Sequence, residues 1–215
     1  MLRFPLFGFP ITIHWMFWVL CLMLGIGYLD GEGPEALMKF GLLTLVLFLS
    51  IVLHELGHAF ARRKFGASHS EITLYGLGGY CAGPGRFTKW QSIGISAAGP
   101  AANVILVGVG LLLGLSPGME NPMVRSFVFD LIMVNGFLFV FNVLPIYPLD
   151  GGQIFGYLMG PSRLRVVFWT GIIIAGTIAV FGLLSRSIFT AIICGMLAYE
   201  NWQRLQGRPS GIPGN

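Results

Sequence analysis

Phe40-Gly-Leu-Leu-Thr-Leu-Val-Leu-Phe-Leu-Ser-Ile-Val-Leu-His54-Glu55-Leu-Gly-His58-Ala-Phe60 is an apolar run long enough to cross a bilayer, with three ionisable side chains set into its second half. A spanning helix needs about 20 apolar residues. An ionisable group at membrane depth costs several kcal/mol unless it is paired or ligated. On a helix, positions i and i+4 share a face, so His54 and His58 point the same way. Two imidazoles on one face can bind a zinc ion, and a glutamate beside them can act as general base, which is the chemistry of an HExxH motif.

Composition agrees with a membrane setting. The chain has 215 residues, 55% hydrophobic and only 10% charged, against about 25% charged in a soluble domain. Six spans are expected, at Ile11–Leu29, Phe40–Phe60, Ser92–Leu115, Ser126–Leu144, Val166–Leu184 and Ile188–Leu205. They leave no room for a nucleic-acid-binding module. Of the 13 basic residues, only Lys39, Arg125 and Arg186 fall outside the tails and the even-numbered loops. Basic residues stay in the cytoplasm, so both termini are expected there. The acidic loop Asp30–Glu35 is expected to face outward. Cys21, Cys81 and Cys194 form no CxxC pair and read as packing residues.

Two segments do not read as spanning helix. Phe4–Ile13 and Ser68–Gly85 mix alternating apolar residues with glycine and proline, the pattern of short strands. Irregular backbone at membrane depth must be buried or line a wet cavity. A small interfacial sheet near the cytoplasmic side is therefore expected beside the histidines. The fold class is all-α and polytopic, one transmembrane domain over residues 1–206 with a flexible cytoplasmic tail at 207–215. Gly94, Gly99, Gly108 and Gly110 read as helix-packing positions.

A catalytic zinc site has three protein ligands and a water. The candidates for the third ligand are His14, His69, Asp130, Asp150 and Glu200. Asp150 suits best. His54 lies about 21 Å along its helix from Phe40 at 1.5 Å per residue, and the fourth span runs in the same direction toward Asp150. Pro145 and Pro148 interrupt that helix, and Gly151-Gly152 permit close backbone approach. The other four candidates read as interfacial groups.

HExxH inside a span, followed later by Leu149-Asp150-Gly151-Gly152, resembles the site-2 protease family of intramembrane zinc metalloproteases. Gly99-Pro100-Ala-Ala-Asn103 is similar to the family's GPxxN segment, and Gly78-Gly79 to the glycine loop that follows its HExxH helix. The opening Gly8-Phe-Pro-Ile-Thr-Ile-His14-Trp15 is similar to the strand leading into its first helix. The resemblance covers roughly residues 4–160 and implies a compact member without a CBS or PDZ domain. It implies one Zn2+ per chain on His54, His58 and Asp150, with Glu55 as catalytic base. It places Asn103, Asn142, Pro145, Gly78 and Gly79 near the substrate. The implied activity is cleavage of transmembrane segments of membrane proteins, in regulated proteolysis or clearance of signal-peptide remnants. The implied setting is a prokaryotic cell membrane. A divalent-metal transporter using the same ligands, or a catalytically silent membrane scaffold, are the alternatives. Glu55 as a base and the nearly uncharged outer halves of the spans disfavour the transporter, and the complete HExxH with Asp150 disfavours the scaffold.

Overall fold

The computed structural model describes residues 1–29, 31, 33–76 and 78–207. Asp30 and Glu32 of the acidic loop, and the tail from Arg208, lie outside them. The chain divides into two compact units: Met1–Arg86 with Ala98–Phe139, and Phe87–Ala97 with Val140–Asn215.

The first unit is built around a four-stranded sheet and four helices. The strands β1 (Leu2–Leu6), β2 (Phe9–Ile13), β3 (Glu71–Tyr75) and β4 (Gly78–Ala82) lie side by side in chain order. β1 and β2 form an antiparallel hairpin closed by Leu6 and Phe9. Its two loop residues, Phe7 at φ 51° and Gly8 at φ 83°, both take the left-handed conformation that a two-residue hairpin requires. β2 and β3 are parallel, Ile11 beside Ile72. Parallel neighbours need a long crossover, and it is supplied by α1 (Trp15–Leu29) and α2 (Pro34–Lys64). Phe9, Ile11 and Ile13 alternate inward along β2, as do Ile72 and Leu74 along β3. This alternation gives the sheet a dry face, and α2 packs against β3 and β4.

α2 has 31 residues. It opens with Pro34 in its first turn, where the missing N–H costs nothing. It closes on Arg62, Arg63 and Lys64, whose charges suit the helix C-terminus. α3 (Lys89–Leu113) and α4 (Pro122–Val143) complete the unit, α3 from Ala98 onward. Gly57 lets α2 and α3 touch backbone to backbone: a Cβ there would lie 3.3 Å from the Gly99 Cα. Gly110 makes room between α3 and α4 for the Ile132 side chain, whose Cγ1 would lie 2.6 Å from a Cβ there.

The second unit holds the first part of α3, the helix α5 (Asp150–Met159), and the long helices α6 (Leu164–Leu184) and α7 (Ile188–Leu205). α6 buries Val167, Gly171 and Ala175, and α7 buries Ala191, Cys194 and Leu197. Small residues on successive turns allow this close helix pairing.

Among the described residues, four helices are long and apolar enough to cross a membrane: Pro34–Lys64, Lys89–Leu113, Pro122–Val143 and Pro161–Leu184. Their outer faces are apolar; Leu112, Phe137, Ile173 and Phe181 are all more than 60% exposed. In water such a surface would be an aggregation site. The expected first span begins too early. Ile11–Ile13 belong to β2, and α1 has only 15 residues. α7 has 18 residues and carries Glu200, Asn201 and Arg204 in its last turns, which lowers its apolar character. The two segments read as strands are each a hairpin strand pair, except that the first begins at Leu2.

Candidate metal centre

α2 presents His54, Glu55 and His58 from its buried stripe, which continues Leu43, Val46, Leu47 and Ser50 at turn spacing. One turn apart, the two imidazoles stand edge to face, centroids 4.8 Å apart. Their Nε2 atoms approach to 3.1 Å. Both nitrogens are therefore directed at one small volume.

The protonation pattern of His54 follows from its neighbours. The Leu131 carbonyl can only accept, so the Asn135 Nδ2 donates to it at 2.8 Å. The same Nδ2 donates to Ser50 Oγ at 2.8 Å. The Asn135 Oδ1 must then accept, from Asn103 Nδ2 at 2.9 Å. That leaves the Asn103 Oδ1 facing His54 Nδ1 at 2.6 Å. A carbonyl oxygen takes only a donor, so Nδ1 carries the proton and the Nε2 lone pair points at His58. Metal-ligating histidines are commonly oriented in this way by the hydrogen bond on the other nitrogen. The buried network spans α2, α3 and α4. Both Asn103 and Asn135 are wholly shielded from solvent.

Gly99 closes the arrangement. A Cβ at this position would lie 2.6 Å from His54 Nε2 and would overlap His58 Nε2. The missing side chain leaves a space bordered by two aimed nitrogens. Gly99, expected as a helix-packing position, does lie at the close α2–α3 contact, and its missing side chain also clears the volume in front of the imidazoles.

Glu55 lies on the side of α2 that meets the sheet. A Cβ on Gly79 would fall 2.6 Å from Glu55 Cγ and 2.8 Å from its Oε1, so only glycine lets β4 pass this close. Arg62, buried two turns further along α2, donates to Ser70 Oγ at 3.2 Å and to the Gly83 carbonyl. It ties together both open ends of the β3–β4 hairpin. Cys81 is buried in β4, and burial foremost, with the Glu55 charge, pushes its thiol up to about 12.

β4 is an edge strand. Its free edge can be identified. The His14 N–H donates to the Leu74 carbonyl at 2.8 Å, so Leu74 faces β2. Strand residues alternate sides, so Glu71, Thr73 and Tyr75 bond to β4 through Ala82, Tyr80 and Gly78. The N–H and C=O groups of Gly79 and Cys81 therefore turn away from β3.

In the second unit, Asp150 begins α5 and is buried. The helix α4 stops at Val143, and the chain turns through Pro145 and Pro148. A Cβ on Gly151 or Gly152 would collide with the backbone of Val143–Leu144 or Ile146–Tyr147, so the paired glycines let α5 fold back on the turn. Gln153 braces the turn, donating from Nε2 to the Pro148 carbonyl at 3.0 Å. Asn142 and Pro145 are half-buried at the end of α4 and just after it. Nearby, burial raises the Tyr147 phenol above its usual range and the Arg204 charge opposes this.

His54, His58 and Asp150, all buried, offer one donor atom each, a set that could hold a metal ion. Two nitrogens and a carboxylate are a zinc donor set. The space facing Gly99 and the fixed His54 lone pair fit such an ion. The rival ligands are engaged elsewhere. His69 pairs with exposed Glu71 at 3.0 Å. Asp130 accepts from Tyr28 at 2.7 Å. Glu200 pairs with Arg204 at 2.9 Å. The His14 ring packs against Trp15 and Tyr75. Asn135 and Ser50 were not singled out by sequence. The available signal was Ser50 one turn before His54 on the same face, and an amide inside an otherwise apolar helix.

Comparisons with known proteins converge on one family. The pattern of Peptidase family M50 matches residues 42–122. A zinc metalloprotease of Methanocaldococcus jannaschii is 29% identical over 199 residues, 88% of this chain and 56% of the relative. A Bacillus subtilis protein, YwhC, provisionally named as a zinc metalloprotease, is 32% identical over 60% of this chain and 73% of its own length. A Synechocystis relative, also named provisionally, is 29% identical over 91% of this chain. The chain spans little more than half the length of the Methanocaldococcus and Synechocystis relatives. Among solved structures, the site-2 protease from Methanocaldococcus jannaschii superposes with a TM-score of 0.67 at 26% identity, covering 100% of this chain and 98% of that one.

Proposed function

Because this chain belongs to peptidase family M50, the site-2 proteases, we propose that it is an intramembrane zinc endopeptidase that cleaves transmembrane segments of membrane proteins. The observation that carries the reading is the pair of buried imidazole nitrogens, aimed at one volume that Gly99 keeps clear, with Glu55 next to them on the same helix. The ligands would be His54, His58 and Asp150. Zinc, when bound, would acidify a water molecule and polarise the scissile carbonyl. Glu55 takes the water proton and hands it to the leaving amine. Asn103, through Nδ1 of His54, holds the imidazole in the ligating tautomer. The chain needs no serine or cysteine nucleophile for this, and no acyl-enzyme forms.

A helical substrate hides its peptide bonds in i→i−4 hydrogen bonds and must unwind before attack. The outward N–H and C=O groups of Gly79 and Cys81 are suited to pair with an unwound segment by strand addition. Backbone pairing of this kind demands no particular side chain. Gly79 would bring that segment past Glu55. Asn142 and Pro145, whose placement follows the family motif, would border the substrate. The topology that accompanies this reading has six spans and both termini in the cytoplasm of a prokaryotic cell.

The test uses purified protein in lipid nanodiscs with a fluorogenic transmembrane peptide. Cleavage should stop with a zinc chelator and return with zinc. Glu55→Gln should abolish turnover and leave zinc bound, because the amide cannot accept a proton while the ligands stay intact. Metal transport without cleavage would favour a transporter, and zinc binding with neither would favour a scaffold.

A further inference from the structure

The two last helices carry no recognised motif, yet the second unit is built on them. The turn between α4 and α5 contains two prolines, so it lacks two backbone donors and strands the carbonyls around it. Each stranded carbonyl buried from water needs an outside donor. Gln153 serves the Pro148 carbonyl. The Tyr147 carbonyl is served from α7: Asn201 Nδ2 donates to it at 2.6 Å and, with its second hydrogen, to the Leu197 carbonyl at 2.8 Å. Asn201 is wholly buried.

The rest of the turn is seated on the same two helices. Ile146, with no exposure, packs in one cluster with Ala175 of α6 and Leu197 of α7. The Tyr147 ring meets Phe168 of α6 edge to face, centroids 6.0 Å apart. Its face is covered by the Arg204 guanidinium at 4.3 Å. Arg204 is itself held by buried Glu200 at 2.9 Å. Gly171 makes the space: a Cβ on it would lie 2.5 Å from Asn201 Oδ1. The contacts from α6 and α7 thus fall on Ile146 and Tyr147, just before Pro148-Leu149-Asp150.

We infer that α6 and α7 form a clamp whose Asn201 fixes the backbone at Tyr147 and thereby sets the position of the Asp150 carboxylate. The inference rests on the reading of Asp150 as a zinc ligand. Asn201 is a positioning residue: it acts through the turn and touches neither metal nor substrate.

Asn201→Leu is nearly isosteric and removes both donors. Zinc affinity, measured by chelator competition, should fall about 10-fold, the low end for outer partners of a metal ligand. Gly171→Ala should act in the same direction by displacing the Asn201 amide, and serves if Asn201→Leu does not fold. The decisive reading is made against Asp150→Ala, which should itself bind zinc weakly. In that background Asn201→Leu should cost no further zinc affinity, whereas general damage to the fold would add to it. If Asp150→Ala loses zinc while Asn201→Leu and Gly171→Ala bind it like the unmodified protein, the clamp is refuted and the ligand assignment stands. If Asp150→Ala keeps zinc, the ligand assignment fails and the clamp falls with it. Losses that add fully in the double variant also overturn the clamp.

Discussion

Replacing Asn103 separates the two jobs its amide performs. Asn103→Leu and Asn103→Asp both remove the donor to Asn135, but only leucine removes the acceptor for His54. With zinc absent, a His54 ring that has lost this acceptor can turn or change tautomer. With zinc bound, Nε2 is committed to the metal and the Nδ1 proton is stranded in a fully buried place. An unsatisfied buried donor costs about 1–3 kcal/mol, and the whole of that cost falls on the bound state. At about 1.4 kcal/mol per tenfold, zinc affinity should drop about 5- to 150-fold. Asn103→Asp keeps the acceptor and adds a negative charge near the site, so its affinity should equal or exceed that of the unmodified protein. The assay is competition against a fluorescent zinc chelator, with circular dichroism as the check on folding. If aspartate loses as much zinc affinity as leucine, the polarity assigned to the Ser50–Asn135–Asn103–His54 network is wrong.

Gly99→Ala should lose zinc by at least about 100-fold, beyond the usual outer-partner range, because its methyl group would occupy the volume in front of both imidazoles; metal analysis that finds full occupancy would contradict this. If Gly79 and Cys81 pair with substrate, N-methylation of a transmembrane peptide should slow cleavage at alternate positions around the scissile bond, since successive strand N–H groups point to opposite sides; a uniform effect would point to recognition by other means. Cys81 should resist alkylation in the folded protein at pH 8–9, roughly where an ordinary thiol is part thiolate. Burial raises its pKa to about 12, so the folded state keeps the proton while the unfolded chain loses it, and labelling should appear only with denaturation. Its contribution to stability should accordingly decline as pH climbs past the ordinary thiol value. Mass spectrometry of labelled peptides decides the matter.

The residues legible in sequence are those whose meaning lies in a short window. His54 and His58 share a face because a helix repeats every 3.6 residues, whatever packs against it. The prolines and glycines flanking Asp150 declare a broken helix and a tight return, and the structure has both. The strand segments showed themselves by alternation and glycine. What tertiary structure alone decided depends on partners far apart in the chain. The polarity of His54 is set through Asn103, 49 residues away, then Asn135 and the Leu131 carbonyl. An asparagine in an apolar helix reads the same in sequence whichever way its amide is turned, because that choice belongs to the helix opposite. The parallel pairing of Ile11 with Ile72 shortened the first helix, since backbone committed to a sheet ladder cannot also be helical. Gly99 reads as one packing glycine among several until the fold sets it against the two imidazoles. α7 has no motif at all; its Asn201 acquires a task only where the turn before Asp150 leaves a carbonyl in need of a donor.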